Sequence, residues 1–117
     1  MESIVKPHSE ETIHIYSLAD LDQLVSERFN LPLRPYSTDV MASLELVVYA
    51  MEKTKFPYFE ISKPNSHAFP DLPYAVSFDK EQRTYGKTMP LAICHDALHR
   101  LRGIVVSIPG SYYWDMD

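Results

Sequence analysis

Two capped amphipathic segments, separated by a Leu-Pro break within residues 17–47, constrain this chain more than anything else in it. Ser17 stands before Leu18-Ala19-Asp20, a hydroxyl with an acid three residues on, which is a near variant of the capping box. Leu18, Leu21, Leu24, Val25 and Phe29 then recur on one side of a helix, and Pro32 and Pro35 end it. Ser37 or Thr38 opens a second helix, with Asp39 in the first turn, where the helix dipole favours an acid. Val40, Leu44, Val47, Val48 and Met51 follow i, i+4, i+7, i+8, i+11, the spacing of a buried face. Asp39, Ala42, Leu46 and Tyr49 fall opposite, and that side is largely apolar too. The helix is therefore either sandwiched between layers or shows Leu46 and Tyr49 to a partner.

The remaining segments supply strands and one more helix. TIHIYS (12–17) alternates Ile13 and Ile15 with polar neighbours, as a first strand does. PYFEIS (57–62) and YAVSFD (74–79) read as two further strands, joined by a loop with three prolines at 63–73. KEQRTYGK (80–87) reads as a turn or hairpin connection. Thr88 caps a third helix with Pro90 in its first turn, Leu91, Cys94, Ala97, Leu98 and Leu101 on its core stripe, and Gly103 at its stop. IVVSI (104–108), continuous and rich in β-branched residues, predicts a central buried strand. The order β-α-α-β-β-α-β predicts one α/β or α+β domain over 1–117. It has a small, partly parallel sheet of about four strands, with three helices packed mainly on one side. Residues 1–11 form a polar lead-in and 111–117 an aromatic, acidic tail.

Composition narrows the function. No apolar run approaches the roughly 18 residues that span a bilayer, and MESIVKPHSEET lacks the features of a secretory leader. One cysteine, Cys94, cannot form an internal disulfide, which fits a reduced, cytoplasmic setting. Net charge is −5 with no run of lysines or arginines, so no nucleic-acid footprint is expected, and no membrane partner either. The three glycines are dispersed, which excludes a Gly-rich phosphate loop. No cofactor is expected.

From Ser17 to Pro32 the spacing resembles that of the barstar family, intracellular inhibitors of a bacterial ribonuclease. Ser17, Asp20-Leu21, Gln23 and Leu31-Pro32 carry the likeness, with Tyr36 in the following loop and an acid-bearing helix after it. Phe56-Pro57-Tyr58-Phe59, the helix at 88–102 and IVVSI are similar to later elements of that family. The resemblance implies an inhibitory surface made by the loop before the second helix and that helix's exposed face, where aromatic and acidic side chains plug a basic active site. By position it points to Tyr36, Asp39 and Glu45, and Tyr49 on the helix's second face completes the expected contact set. The chain departs from the family where Arg34 and Pro35 stand for a loop glycine, Leu44 for a tryptophan and Met41 for an acid, and where 63–87 holds an insertion. The expectation is a non-enzymatic, acidic, protein-binding inhibitor, an immunity protein or antitoxin that blocks a basic toxic enzyme such as a ribonuclease. Acids on a rigid helix would steer such an encounter.

Two other constellations carry alternatives. His95 and His99 sit at i, i+4 on one helix face, a spacing that can hold a metal ion with a third ligand from His67, Asp79 or Asp115. That would make a metal-dependent enzyme, although Asp96 stands where the protease version has its glutamate. The plainer reading is a solvated face near a helix C-terminus. Tyr112, Tyr113 and Trp114 beside Asp115 and Asp117 suit a docking tail of a phage or host regulatory module, or a closure over the edge of the core. No Gly-x-Ser-x-Gly elbow is present, and Cys94, on a core stripe, reads as a structural thiol. The partner's identity and the oligomeric state are open at this level.

Overall fold

Each helix begins at a side chain that accepts one of its free N–H groups. In the computed structural model, which describes residues 11–55, 57–63, 72–80 and 82–107, helix α1 (Leu18–Phe29) follows Ser17, whose Oγ accepts the Asp20 N–H at 3.1 Å. The Asp20 carboxylate reaches back to the Tyr16 N–H at 3.0 Å, a reciprocal arrangement close to a capping box. Helix α2 (Val40–Lys53) is capped by Asp39 itself, which accepts the Ala42 N–H at 2.9 Å. Asp39 thus replaces the expected caps Ser37 and Thr38. Helix α3 (Met89–Arg102) starts at Thr88, carries Pro90 in its first turn and stops at Gly103. There φ is 68°, a conformation that glycine adopts without strain.

The strands are β1 (Glu11–His14), β2 (Glu60–Ser62), β3 (Tyr74–Ser77), β4 (Thr84–Gly86) and β5 (Ile104–Ser107). β1 pairs with β5 in parallel, Ile13 opposite Val106. β2, β3 and β4 form an antiparallel meander with Ile61 opposite Val76 and Ala75 opposite Tyr85. The fold is α+β, with the expected parallel pair and a separate antiparallel sheet. Two expectations are corrected. Among the described residues β5 has one neighbour, β1, and its burial alternates, unlike the continuous burial expected of a central strand. The turn or hairpin connection expected at 80–87 contains a strand of its own, β4, which at three residues is too short to show a period.

Helix α3 is the hub, touching α1, α2, β3, β4 and β5. Leu91, Ile93, Cys94, Ala97 and Leu98 are fully buried along it and meet Leu21, Val25, Phe29, Leu46 and Ile104. α3 approaches β4 closely because Gly86 has no side chain: a Cβ there would lie 2.8 Å from the Ala92 Cβ and 3.0 Å from the Ala92 backbone. A short, rigid neighbour cannot swing away. Gly86→Ala is therefore expected to cost about 1–3 kcal/mol, as overpacking does, measured by urea unfolding.

Among the described residues one charged group is wholly inside. Asp96, 0% exposed, lies on α3 beneath the meander. Its Oδ2 accepts the Phe78 N–H at 2.8 Å, its Oδ1 accepts the Thr84 hydroxyl at 2.5 Å, and Arg100 Nε lies 3.4 Å away. Burial raises its pKa, and the hydrogen bonds from Thr84 and Phe78 together with Arg100 hold the rise back.

Candidate functional site: the outer face of helix α2

The row expected to be buried on α2 is the row that faces solvent. Val40, Leu44, Val48 and Met51 are exposed, joined by Met41 at 69%, and only Val47 of the predicted set is inside. The buried side consists of Ala42, Ser43, Leu46, Val47 and Ala50. The reason is steric. α2 packs on α3, and Ala42, Ser43 and Ala50 let the two backbones come close while Leu46 fills the space between them. Periodicity locates an apolar row but does not say which of two apolar rows faces the core. The clue in the sequence was size, since the face with the small residues is the one that packs on a neighbouring helix. The Ser43 hydroxyl donates to the Val40 carbonyl at 2.7 Å, so its burial is satisfied.

The segment before α2 is held in place from beneath. The Ser37 N–H donates to the Asp22 carboxylate of α1 at 2.7 Å. Burial raises the Asp22 pKa, and those Ser37 bonds oppose the rise. The Thr38 and Asp39 N–H groups both donate to the Pro35 carbonyl. Tyr36 points inward, 1% exposed, and its hydroxyl donates to the Pro32 carbonyl at 2.5 Å. This corrects its expected role: Tyr36 is a strut of the loop, and its ring offers no surface to a partner. Leu33, in the same loop, is 66% exposed.

The other three expected contact residues are placed as follows. Asp39 is exposed at the head of the helix, its carboxylate engaged as the cap. Glu45 is exposed beside the row and pairs with Arg34 at 2.9 Å. Tyr49 is half-buried, edge-on to Phe29 with ring centroids 5.9 Å apart, and Lys53 lies over its face at 5.8 Å. The face is thus an apolar strip bordered by Asp39 and by an Arg34–Glu45 pair. It was readable as apolar, but the spacing placed Val40, Leu44, Val48 and Met51 inside. Covering such a strip would remove apolar area from water.

The histidine pair is differently placed. His95 is held largely away from water, and desolvation, with His99 nearby, lowers its pKa from 6.5 to about 4. Arg100 approaches His99 Nδ1 at 2.7 Å, which turns that nitrogen toward a cation. Among the described residues no group of three or more His, Cys, Asp and Glu side chains could hold a metal ion. His67, Asp115 and the tail residues Tyr112, Tyr113 and Trp114 lie outside the described residues. Cys94 is fully buried, and that burial keeps its thiol well above the usual pKa.

No protein-family model matches the chain, and no curated protein matches it. Among solved structures, the crystal structure of a phage protein from Bacillus cereus ATCC 14579 superposes with a TM-score of 0.59 over 80% of this chain and 94% of that one, at 14% identity. At that identity the likeness is one of fold. Among the described residues, no helix is long and apolar enough to cross a membrane.

Proposed function

We propose that this protein acts by binding another protein through the outer face of α2, and that it is not an enzyme. The supporting observation is the exposed row Val40, Met41, Leu44, Val48 and Met51 on a helix whose other side is firmly packed. A face of this kind is rigid before binding, so little ordering entropy opposes docking. The resemblance to the barstar family gives the reading its sharper form, an inhibitor, immunity protein or antitoxin that covers a basic active site. Asp39 and Glu45, exposed at the border of the strip, favour it, as does the net charge of −5.

The test is a tagged capture from the native extract with a moderate salt wash, run beside two variants. Val48→Lys places a charge in the middle of the strip and is expected to weaken capture at least about tenfold, or roughly 1.4 kcal/mol. Asp39→Asn, which keeps a capping oxygen, with Glu45→Lys is expected to abolish capture of a basic enzyme while the fold persists. A partner indifferent to Val48→Lys would overturn the α2 assignment. A partner lost with Val48→Lys but indifferent to the Asp39→Asn, Glu45→Lys pair would overturn the inhibitor of a basic enzyme and leave apolar docking.

A further inference from the structure

Met41, Leu44, Val48 and Met51 are spaced 3, 4 and 3 along α2, which is the a-d-a-d spacing of a two-helix seam. All four are exposed, and f-position Leu46, on the far side, is fully buried. The seam therefore points away from the molecule along two heptads, about 15 Å of axis. Two heptads are too few to hold free peptides together, but here the fold has already formed the helix, so only docking remains to be driven.

We propose that this face docks a second copy of the same chain, as an antiparallel helix pair about a two-fold axis. The proposal rests on the reading of α2 as a docking face and adds a second copy of the chain to what that face can hold. Three features select this occupant and this direction. Turned about an axis level with Leu46, the seam is self-complementary: Met41 comes level with the partner copy's Met51, and Leu44 with its Val48. Large meets large at the ends, branched meets branched at the centre, and every apolar layer is filled. An isologous contact requires this kind of match. Second, the helix is electrically polarised. Asp39 sits at its N-terminal end, and Lys53 and Lys55 at its C-terminal end with Glu52. Antiparallel docking brings each acidic end beside a basic one and opposes the two helix dipoles, whereas parallel docking would align like ends. Third, Glu45, the carboxylate nearest the axis and the one that would repel its own copy there, is already paired with Arg34 at 2.9 Å. Methionine at both outer layers adapts to imperfect fit. With one short helix per copy in contact, the pair is expected to be a weak one that forms at micromolar concentrations or above.

Sedimentation equilibrium on the full chain, from low micromolar to near-millimolar concentration, tests this. The mass is expected to rise from one chain to two in the wild type, while Val48→Lys stays a monomer with an unchanged far-UV spectrum. Direction is read separately: chains carrying Met41→Cys are expected to cross-link to chains carrying Met51→Cys, and neither to itself. Cys94 is too deeply buried to interfere. Self-linking of Met41→Cys would overturn the antiparallel arrangement. A monomer at every concentration would overturn self-docking, and a partner captured by the wild type but lost with Val48→Lys would then show that the face serves another protein. A dimer unaffected by Val48→Lys would overturn both this pairing and its seat on α2.

Discussion

Asp96→Ala is expected to remove about 3–5 kcal/mol of stability, the range for breaking a buried charged pair from one side. The carboxylate is the only described acceptor given to the Phe78 N–H, and it also accepts from Thr84, so its loss strands a backbone donor and a hydroxyl under the meander. Arg100 Nε retains Asp79 at 3.4 Å, which offsets part of the penalty and places the cost toward the lower end of the range. A domain of this size has some 5–15 kcal/mol in hand, so the variant should sit close to unfolding. Urea denaturation measures it. A loss under about 1 kcal/mol would mean that Asp96 does not join α3 to β3 and β4 as described. The cause of the large effect is position: one side chain ties three elements together where water cannot substitute for it.

Stability is also expected to fall by up to about 3 kcal/mol as pH drops from 6.5 to about 4. His95 is neutral in the folded protein because burial lowers its pKa to about 4, while the unfolded chain takes up the proton near 6.5. Between those values the unfolded state binds more protons, so the stability present above pH 6.5 is lost on the way down. Asp96 and Asp22, whose pKa values are raised, act in the opposite sense. Each gains relative stability as it protonates, which softens the lower end of the fall. Denaturation midpoints at a series of pH values, for the wild type and for His95→Gln, separate the terms. The variant should lose the part of the slope that begins near 6.5. A wild-type profile flat from pH 6.5 to 5 would contradict the buried, neutral His95.

Local chemistry was legible in the chain. Ser17, Thr88, Pro90 and Gly103 carry out at the helix ends what their types predict, because capping depends on atoms within a few residues. The α1 stripe was legible for a related reason: it has one apolar side. On α3 the expected stripe is buried except for half-buried Leu101, but Ala92, Ile93 and Asp96 are buried as well, because α3 packs on five elements at once. The periodicity of α2 did not identify its core side, because the helix has two apolar sides, and only the small size of Ala42, Ser43 and Ala50 marks the one that packs on α3. Tyr36 shows the same limit from another direction. An aromatic ring in a proline-bounded loop suits a contact surface, but the Pro32 carbonyl and the space beneath the loop draw it inside. Asp96 stood next to the histidines and read as part of a metal motif, yet its partners Phe78 and Thr84 are remote in sequence and no local spacing reveals them. β4 and the split of the strands into two sheets were hidden likewise, since pairing is a long-range property and three-residue strands have too little pattern to announce it.

The most direct measurement of the central claim, that the outer face of α2 is a docking surface, is a concentration series of amide NMR spectra on the full chain. Shifts are expected to move at Met41, Leu44, Val48 and Met51 as concentration rises, with β2, β3 and β4 unchanged, and the movement should be absent in Val48→Lys. Concentration-dependent shifts centred on the sheet strands, or on Tyr16 and Ile61 with α2 silent, would contradict it.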